Sequence, residues 1–420
     1  MKGIFVLDRA LWLNQWSLLL VLVLLIATPV RSHAVVAVLM LYSIGYLVVH
    51  RGSLVVTRFD WAVIGLLLAF LLSRLPIYYL DPQSRYLAPG AHMAALVPIY
   101  LMLRHLVYPV DERHFCRFME LGVIIGCLGA FGVALVQTQW LGHYRADGFL
   151  FSINLGYLSC AMGFLAASLV REGRYKPWLV AAAVAAVVTC ILTLARGAIL
   201  AVPLLLVLLL ALNIDRLGKR VVLGAFALMV TLPLLAYALL PAVQDRVDYT
   251  VNEVVNLSEG NIEAAVSSGG RLQLWTAASH AFMERPLIGL GYDERETLNA
   301  QLVEQGVITD WVLTVSRGHA HSQYMEVAAT GGVLGLLALF GYLVVPALYH
   351  WRLHRREPDN PWPQVALVFT AGFALYNLTE AAIHHEMMAT FYAYMQVVLL
   401  VMAKASSHSS YRPAEPITSH

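Results

Sequence analysis

The sequence predicts an all-α integral membrane protein with about twelve transmembrane helices and one large outer loop that contains short helices. Of its 420 residues, 59% are hydrophobic and only 13% are charged. The mean hydropathy is +0.68, a value that soluble globular proteins do not normally reach. One helix needs about 20 apolar residues to cross the hydrocarbon core, and the chain contains repeated runs of this length.

These apolar runs divide the chain into four regions. Residues 1–240 hold the first nine predicted transmembrane helices, and residues 241–322 form the loop region with its short amphipathic helices. Residues 323–403 hold the last three transmembrane helices, and residues 404–420 form a tail. The apolar segments lie near residues 11–30, 34–50, 61–80, 89–107, 118–138, 149–170, 177–195, 197–213, 221–241, 323–349, 362–383 and 386–403.

Basic residues indicate the orientation of the chain. If the N-terminus is cytoplasmic, every lysine and most of the arginines fall in cytoplasmic segments, as the positive-inside rule requires. Both termini are therefore predicted to be cytoplasmic. The first apolar segment lacks a small-residue cleavage site and is followed by further spans, so we expect a retained helix and not a secretory signal. The net charge of +2 gives no indication of nucleic-acid binding.

Ionisable residues gather at the predicted outer ends of the spans, and the middles of the spans are almost free of charge. A charge at mid-bilayer costs about 2.5 to 3.5 kcal/mol on insertion scales, so such residues are functional candidates or interfacial anchors. An ion-coupled transporter would place its charges near the midplane. The pattern favours a polar site at the outer face, and its candidates are Arg31, His33, Arg74, Arg85, His92, His143, Arg145, Arg196, Glu380, His384, His385 and Glu386.

The loop region contains one predicted amphipathic helix. Ser267 and Ser268 can cap it, and Pro286 ends it. Such a helix could lie on the membrane surface or cover a cavity. Arg271 is expected in its first turn, where a positive charge is unfavourable to the helix dipole. We therefore interpret Arg271 as a ligand-binding residue, with a solvated loop arginine as the alternative.

Arg196 lies between two apolar runs, CILTLA and GAILAVPLLLVLLLAL, with only Gly197 available for a turn. The chain must reverse there, which leaves the guanidinium at the outer interface between two buried helices. An arginine that only extends to lipid phosphate is the alternative. That interaction does not require so tight a turn.

Four motifs stand at these outer positions, in a fixed order along the chain. Arg145 and Gly148 form an Arg-x-x-Gly entrance to a span, and ARGAIL begins an Arg-x-x-x-Leu motif at Arg196. The third is an Arg and a Trp upstream of Pro-Leu-x-Gly-x-Gly in GRLQLWTAASHAFMERPLIGLG, and the fourth is the His, Ser, Gly and Gly of HSQYMEVAATGGVLG from His321 to Gly335. Together they resemble the motifs of the O-antigen ligase family and of the wider family that includes O-antigen polymerases.

The resemblance implies an inverting, metal-independent glycosyltransferase of GT-C-like architecture. It would act at the periplasmic face of the inner membrane of a Gram-negative bacterium. Its partners would be undecaprenyl-diphosphate-linked O-antigen, the lipid A-core acceptor and membrane lipids, with no cofactor. Arginine suits the leaving diphosphate because it offers permanently charged bidentate donors. Histidine is the usual base for a hydroxyl that attacks near neutral pH.

The resemblance also implies roles for individual residues. His321 is the predicted base, and Arg196 and Arg271 are predicted to bind the diphosphate. The residues expected to contact the substrates are Arg145, Trp275, Arg317 and His319.

The neighbouring histidines leave open the alternative of a metal site. His319 is two residues from His321, and His384, His385 and Glu386 could complete a set of ligands if the outer ends of the spans meet. No fixed ligand frame in the sequence supports this, so no metal is predicted. His384 and His385 are interpreted as interfacial polar residues.

Five glycines are given structural interpretations. Gly331, Gly332 and Gly335 are expected to form a closely packed helix face. Gly289 and Gly291 are expected in a turn, because no strand precedes them as it would in a phosphate-binding loop.

Two other kinds of function are open. An O-antigen or exopolysaccharide polymerase, or a protein O-oligosaccharyltransferase, would use the same donor with another acceptor. A polysaccharide-lipid flippase would bind the same lipid without breaking a bond. A flippase should show a polar pathway through its spans, whereas the polarity here is almost entirely at one end.

Overall fold

The computed structural model describes residues 4–27, 29–107, 112–315 and 319–409. All regular secondary structure in these residues is helical, which confirms the predicted all-α class. The helices are α1 Leu7–Ala27, α2 Pro29–His50, α3 Arg58–Leu80, α4 Ala88–Ala94, α5 Val97–Val107, α6 Glu112–Leu135, α7 Ser152–Leu169, α8 Lys176–Leu192, α9 Arg196–Leu212, α10 Lys219–Leu239, α11 Pro241–Ser258, α12 Val266–Glu284, α13 Tyr292–Glu304, α14 Trp311–Thr314, α15 Gln323–Arg356, α16 Trp362–Thr379 and α17 Glu386–Ser409.

Eight of the described helices are long and apolar enough to cross a membrane, so the chain is a multi-pass membrane protein. The two shorter apolar helices α8 and α9 lie between them. The segments that meet the length and composition of a span are Leu7–Ile26, Ser32–His50, Arg58–Leu80, Phe115–Trp140, Ser152–Leu169, Lys219–Leu239, Gln323–Arg356 and Glu386–Ser406. The number twelve, the boundaries of the four regions and the side of the membrane that the loop faces stay predictions.

Residues 89–107 differ from the single span that hydropathy predicts. The structure divides them into α4 and α5, with Ala95 and Leu96 between the two helices. Pro98 is the second residue of α5. Proline has no backbone N–H and fits the first turn of a helix better than its interior, so this position favours a new helix start.

Helices α7 and α17 lie at the centre of the bundle. The buried fractions of their spans are 83% and 89%, whereas none of the span of α10 is buried inside the protein. One large cluster of buried apolar side chains connects the bundle. The ends of α8 and α16 and the beginnings of α9 and α15 meet beside this core, and the site described below forms there.

Helix α15 is broken at Gly332, which has a φ of 55° and a ψ of −151°. The backbone N–H groups of Val333 and Leu334 donate to the carbonyl oxygens of Pro286 and Leu287, at 2.8 and 3.2 Å. A Cβ on Gly332 would overlap this segment. The expectation of a closely packed helix face is therefore right about the packing at Gly332 but wrong about its helical conformation, because the helix is interrupted to accept the loop backbone.

The remaining glycines agree better with their interpretation. Gly331 leaves room for the buried side chain of Arg74, and Gly335 leaves room for the side chain of Val327. Gly289 has a φ of 74° in a turn against the break. Arg74 donates to the hydroxyl of Thr330 at 3.0 Å. The glycines thus allow the loop and a buried arginine to approach the same turn of α15.

Candidate active site

Two histidines before α15 bind one carboxylate at the end of α16. His319 Nε2 and His321 Nδ1 each lie 3.1 Å from a different oxygen of Glu380. Burial raises the pKa of the Glu380 carboxyl, but the hydrogen bond with His321 and the neighbouring imidazoles outweigh burial and lower it to about 2. Glu380 is therefore ionised at neutral pH and accepts from both rings.

The ring nitrogens give the two histidines different properties. His319 uses both nitrogens, because Nε2 donates to Glu380 and Nδ1 accepts from the backbone N–H of His321 at 3.2 Å. Burial lowers the pKa of His319 to about 4, which keeps this ring neutral. His321 Nδ1 donates to Glu380, and Nε2 has no hydrogen-bond partner among the described residues. With 34% of its side chain exposed, His321 has an Nε2 that is open to a ligand.

The backbone around these histidines is held by buried polar groups. The carbonyl of Ala320 accepts from the indole N–H of Trp275 at 2.8 Å. The backbone N–H of Ala320 donates to Glu326 at 3.0 Å. Arg295 donates to the other oxygen of Glu326 at 2.9 Å. His321 itself has a φ of 45°, which is uncommon for a residue other than glycine. Trp275, which was expected to contact substrate, thus holds the backbone next to His321.

Arg196 begins α9 after a three-residue turn from α8. Its guanidinium donates to the carboxylate of Glu253 and to the hydroxyl of Ser267. Glu253 also accepts from the backbone N–H groups of Ser267 and Ser268 at the start of α12. Burial raises the pKa of Glu253, but these bonds outweigh burial and lower it to about 2. Glu253 therefore joins α9, α11 and α12 as an ionised carboxylate.

A close contact connects the Arg196 turn to the histidines. The hydroxyls of Tyr157 and Thr379 are 2.8 Å apart, and a Cβ on Gly197 would overlap both of them. Thr379 immediately precedes Glu380 in the chain. The arginine that starts α9 and the carboxylate that binds His321 are therefore neighbours in space.

Arg271 is half-buried on α12 and lies near the hydroxyl of Tyr157. Its side chain makes no hydrogen bond or ion pair with any described residue. Arg271 lies in the second turn of α12 and not in the first, because the helix begins at Val266. At this position the positive charge interacts less with the helix dipole than it would in the first turn. The absence of a partner carboxylate in the described parts of the chain is what makes Arg271 available to an anion.

Arg145 lies in the loop before α7, 3.7 Å from Asp147 and over the ring of Phe151. The backbone N–H of Ala146 donates to the carbonyl of Leu192 at 2.9 Å, which places this loop against the end of α8, beside the turn that leads to α9. Arg317 lies outside the described residues. The roles predicted for all seven site residues stay predictions.

Among the residues that the structure describes, a metal ion has one candidate position. The ligand atoms of His319, Glu380 and His385 all lie within 4.8 Å of one another. His319 and Glu380 already bind each other directly, so an ion would have to replace that hydrogen bond. Glu386, which the sequence offered as a further ligand, lies instead 3.4 Å from His92. The expectation that no metal is bound stays a prediction.

The sequence does not reveal the acidic partners of these residues. Glu253 and Glu326 carry no pattern that distinguishes them, and Glu380 is distinguished only as a charge at the end of a span. Each is at most 3% exposed and binds an arginine or histidine. The sequence contains no local motif that marks these carboxylates, since their partners are 31 to 59 residues away.

Comparison with known proteins finds a match to a family model. Residues 181–340 match the model of a family described as O-antigen ligase. An uncharacterized protein from Haemophilus influenzae is 23% identical over 292 residues, which cover 67% of this chain and 69% of that protein. The family match includes Arg196, Arg271 and His321 and confirms the resemblance that the motifs indicate. It supports a general role as a membrane enzyme of the ligase and polymerase type.

Proposed function

We propose that this chain, which carries an O-antigen ligase family domain over residues 181–340, transfers O-antigen polysaccharide from undecaprenyl diphosphate to a sugar hydroxyl of lipid A-core. The reaction takes place at the periplasmic face of the inner membrane of a Gram-negative bacterium and completes lipopolysaccharide. Both chain termini are then cytoplasmic, and no metal ion takes part.

The observation that carries this proposal is the position of His321. Its Nε2 is available while Nδ1 is fixed on the ionised Glu380. Thr379, next to Glu380, lies against Gly197 at the start of α9, beside Arg196. Arg271 lies near the hydroxyl of Tyr157, which contacts Thr379. A base and two arginines at one end of the bundle fit a reaction between a sugar hydroxyl and a lipid diphosphate.

The chemistry requires one bond to form and one to break. The acceptor hydroxyl attacks the anomeric carbon of the first O-antigen sugar while its proton passes to His321 Nε2. The bond between that carbon and the phosphate oxygen breaks on the opposite face, which inverts the configuration. Undecaprenyl diphosphate leaves with the bonding electrons. Glu380 stabilises the imidazolium that forms, and general base catalysis of this kind contributes about 10² to 10⁴ in rate.

The arginines act on the leaving group. Negative charge grows on the bridging phosphate oxygen as the bond breaks, and preorganised donors stabilise it without reorganisation. Arg271 has no competing carboxylate among the described residues. Arg196 forms an ion pair with Glu253, so the positive charge of Arg196 is partly compensated.

The test is transfer by the purified protein in detergent, with undecaprenyl-diphosphate-linked O-antigen, lipid A-core and a chelator. We expect a ladder of modified lipid A-core, which His321→Ala abolishes. His280→Ala is the matched control, because His280 is a half-buried histidine of α12 outside the Glu380 cluster. Lengthening of the lipid-linked glycan with unmodified lipid A-core would identify a polymerase, and transfer to a protein would identify an oligosaccharyltransferase. Binding of the donor lipid without any bond formation would favour a flippase.

A further inference from the structure

A second arginine lies beside Arg196 and has no role in the reaction described above. Helix α11 carries Arg246, Tyr249 and Glu253. Tyr249 and Glu253 follow Arg246 by three and seven residues, so all three share one face of the helix. The guanidinium carbons of Arg246 and Arg196 lie 5.3 and 6.0 Å from the centre of the Tyr249 ring. Two positive charges therefore meet at one aromatic ring.

The carboxylate beside these two arginines, Glu253, already has hydrogen-bond donors. It accepts from the guanidinium of Arg196 and from Ser267 and Ser268 at the start of α12. Arg246 makes no side-chain hydrogen bond or ion pair with the described residues, and its Nε is buried without a partner. Its two terminal nitrogens are not enclosed in this way. Burial, followed by the charge of Arg196, lowers the pKa of Arg246, and both effects act against a lone cation here.

Arg246 lies close to the end of the α10 span. Helix α11 follows α10 with only Leu240 between them, and Arg246 is the sixth residue of α11. At 1.5 Å per residue this is about 8 Å beyond the start of the helix. Tyr144, which is next to Arg145 in the loop before α7, also lies near Arg246. Arg246 thus lies between Arg196 and the Arg145 loop, close to where a span ends.

We propose that Arg246 is a further donor-binding residue, which binds a phosphate of the polyprenyl diphosphate together with Arg196. The inference rests on the proposed function. Because Glu253 compensates the charge of Arg196, Arg196 alone adds little net positive charge to the site. Arg246 supplies the positive charge that a diphosphate requires. A phosphate bound between the two guanidinium groups would also relieve their mutual repulsion.

Binding of undecaprenyl diphosphate without a glycan tests this inference directly. The affinity is measured in detergent for the wild type, Arg246→Gln, Arg246→Lys and Arg285→Gln. Arg285 is the matched control, because it belongs to the same loop region and is paired with Glu294 through two hydrogen bonds. Loss of a hydrogen-bonded charge should weaken binding by about 10- to 100-fold in Arg246→Gln. Lysine should restore part of it, and Arg285→Gln should bind as the wild type does.

Further readouts separate binding from folding and from ordinary lipid contact. Arg246 has no carboxylate to leave unpaired, so the melting temperature of Arg246→Gln should not fall. In transfer assays its KM for the donor should rise while kcat changes little. Equal affinity of wild type and Arg246→Gln, or equal competition by phosphatidylglycerol, would overturn the inference alone. Failure of the wild type to bind undecaprenyl diphosphate would overturn the proposed function as well.

Discussion

His321 Nδ1 and Glu380 Oε2 lie 3.1 Å apart although 59 residues separate them in the chain. The carboxylate fixes which imidazole nitrogen carries the proton, and it holds the ring while Nε2 is open. The same carboxylate binds His319 through its other oxygen. One ionised side chain thus orients the predicted base and a neutral neighbour at once.

Replacement of Glu380 by glutamine should lower kcat by about 10²-fold or more, because an amide can donate to Nδ1 and favour the wrong tautomer of His321. The affinity for undecaprenyl diphosphate should stay near that of the wild type. Single-turnover transfer rates and donor binding measure the two quantities. Glu386→Gln is the control, since Glu386 is exposed and pairs with His92. Wild-type turnover in Glu380→Gln would exclude the proposed orientation of the base.

The stability of the protein should decrease as the pH falls from about 6.5 to 4. The pKa of His319 is about 4 in the folded protein, below its ordinary value of 6.5. In this interval the unfolded chain binds a proton that the folded protein does not, so protonation favours unfolding, by up to about 3 kcal/mol.

Melting temperatures in detergent between pH 4 and 7 measure this effect. His319→Gln should give a flatter profile, because the titrating group is gone while the donor to Glu380 is retained. His280→Gln, on α12, should keep the wild-type slope. An unchanged slope in His319→Gln would show that other groups cause the pH dependence.

Glu253→Gln should destabilise the protein and slow transfer together. Breaking a buried ion pair by removing one partner costs about 3 to 5 kcal/mol, since the remaining charge is left uncompensated. Here Arg196 loses the negative charge of its partner, and the single amide oxygen of glutamine cannot accept from both Arg196 and the start of α12. Thermal unfolding and kcat are the measurements, and Glu294→Gln, which affects a more exposed pair with Arg285, is the control. If both variants lose the same stability, Glu253 does not have the joining role that its contacts indicate.

Gly332→Ala should be strongly destabilising, whereas Gly341→Ala on the same helix should be tolerated. An alanine at Gly332 would adopt an unfavourable φ and overlap the loop carbonyls, and each of these effects costs about 1 to 3 kcal/mol. A Cβ at Gly341 meets no atom within 4 Å. The melting temperatures of the two variants test the prediction. Similar values would mean that the break in α15 is not required by the fold.

The sequence predicts those parts of the fold that depend on local composition. Long apolar runs identify the spans because about 20 residues of any apolar kind can cross the bilayer. The division at Ala95 and the break at Gly332 depend on packing, and hydropathy does not reveal them. In α15 the deciding partners, Pro286 and Leu287, come from the preceding loop.

The candidate site shows the same division between local and distant information. Arg196, Arg271 and His321 can be found because they belong to short motifs. The carboxylate partners of Arg196 and His321 cannot, since nothing in the sequence near Glu253 or Glu380 specifies which cation each one meets. The sequence also cannot show that Arg271 lacks such a partner among the described residues, which is the difference between a structural and an available arginine.

The break in α15 has a consequence for the exchange of parts between related proteins. The carbonyls of Pro286 and Leu287 replace the missing turn of the helix for Val333 and Leu334. The N-terminal section of α15, up to Gly331, is thus built jointly with the loop that precedes it. A chimera that takes the loop from one relative and the helix from another would mismatch this contact. The natural unit of transplantation therefore extends past Gly332 into the C-terminal section of α15.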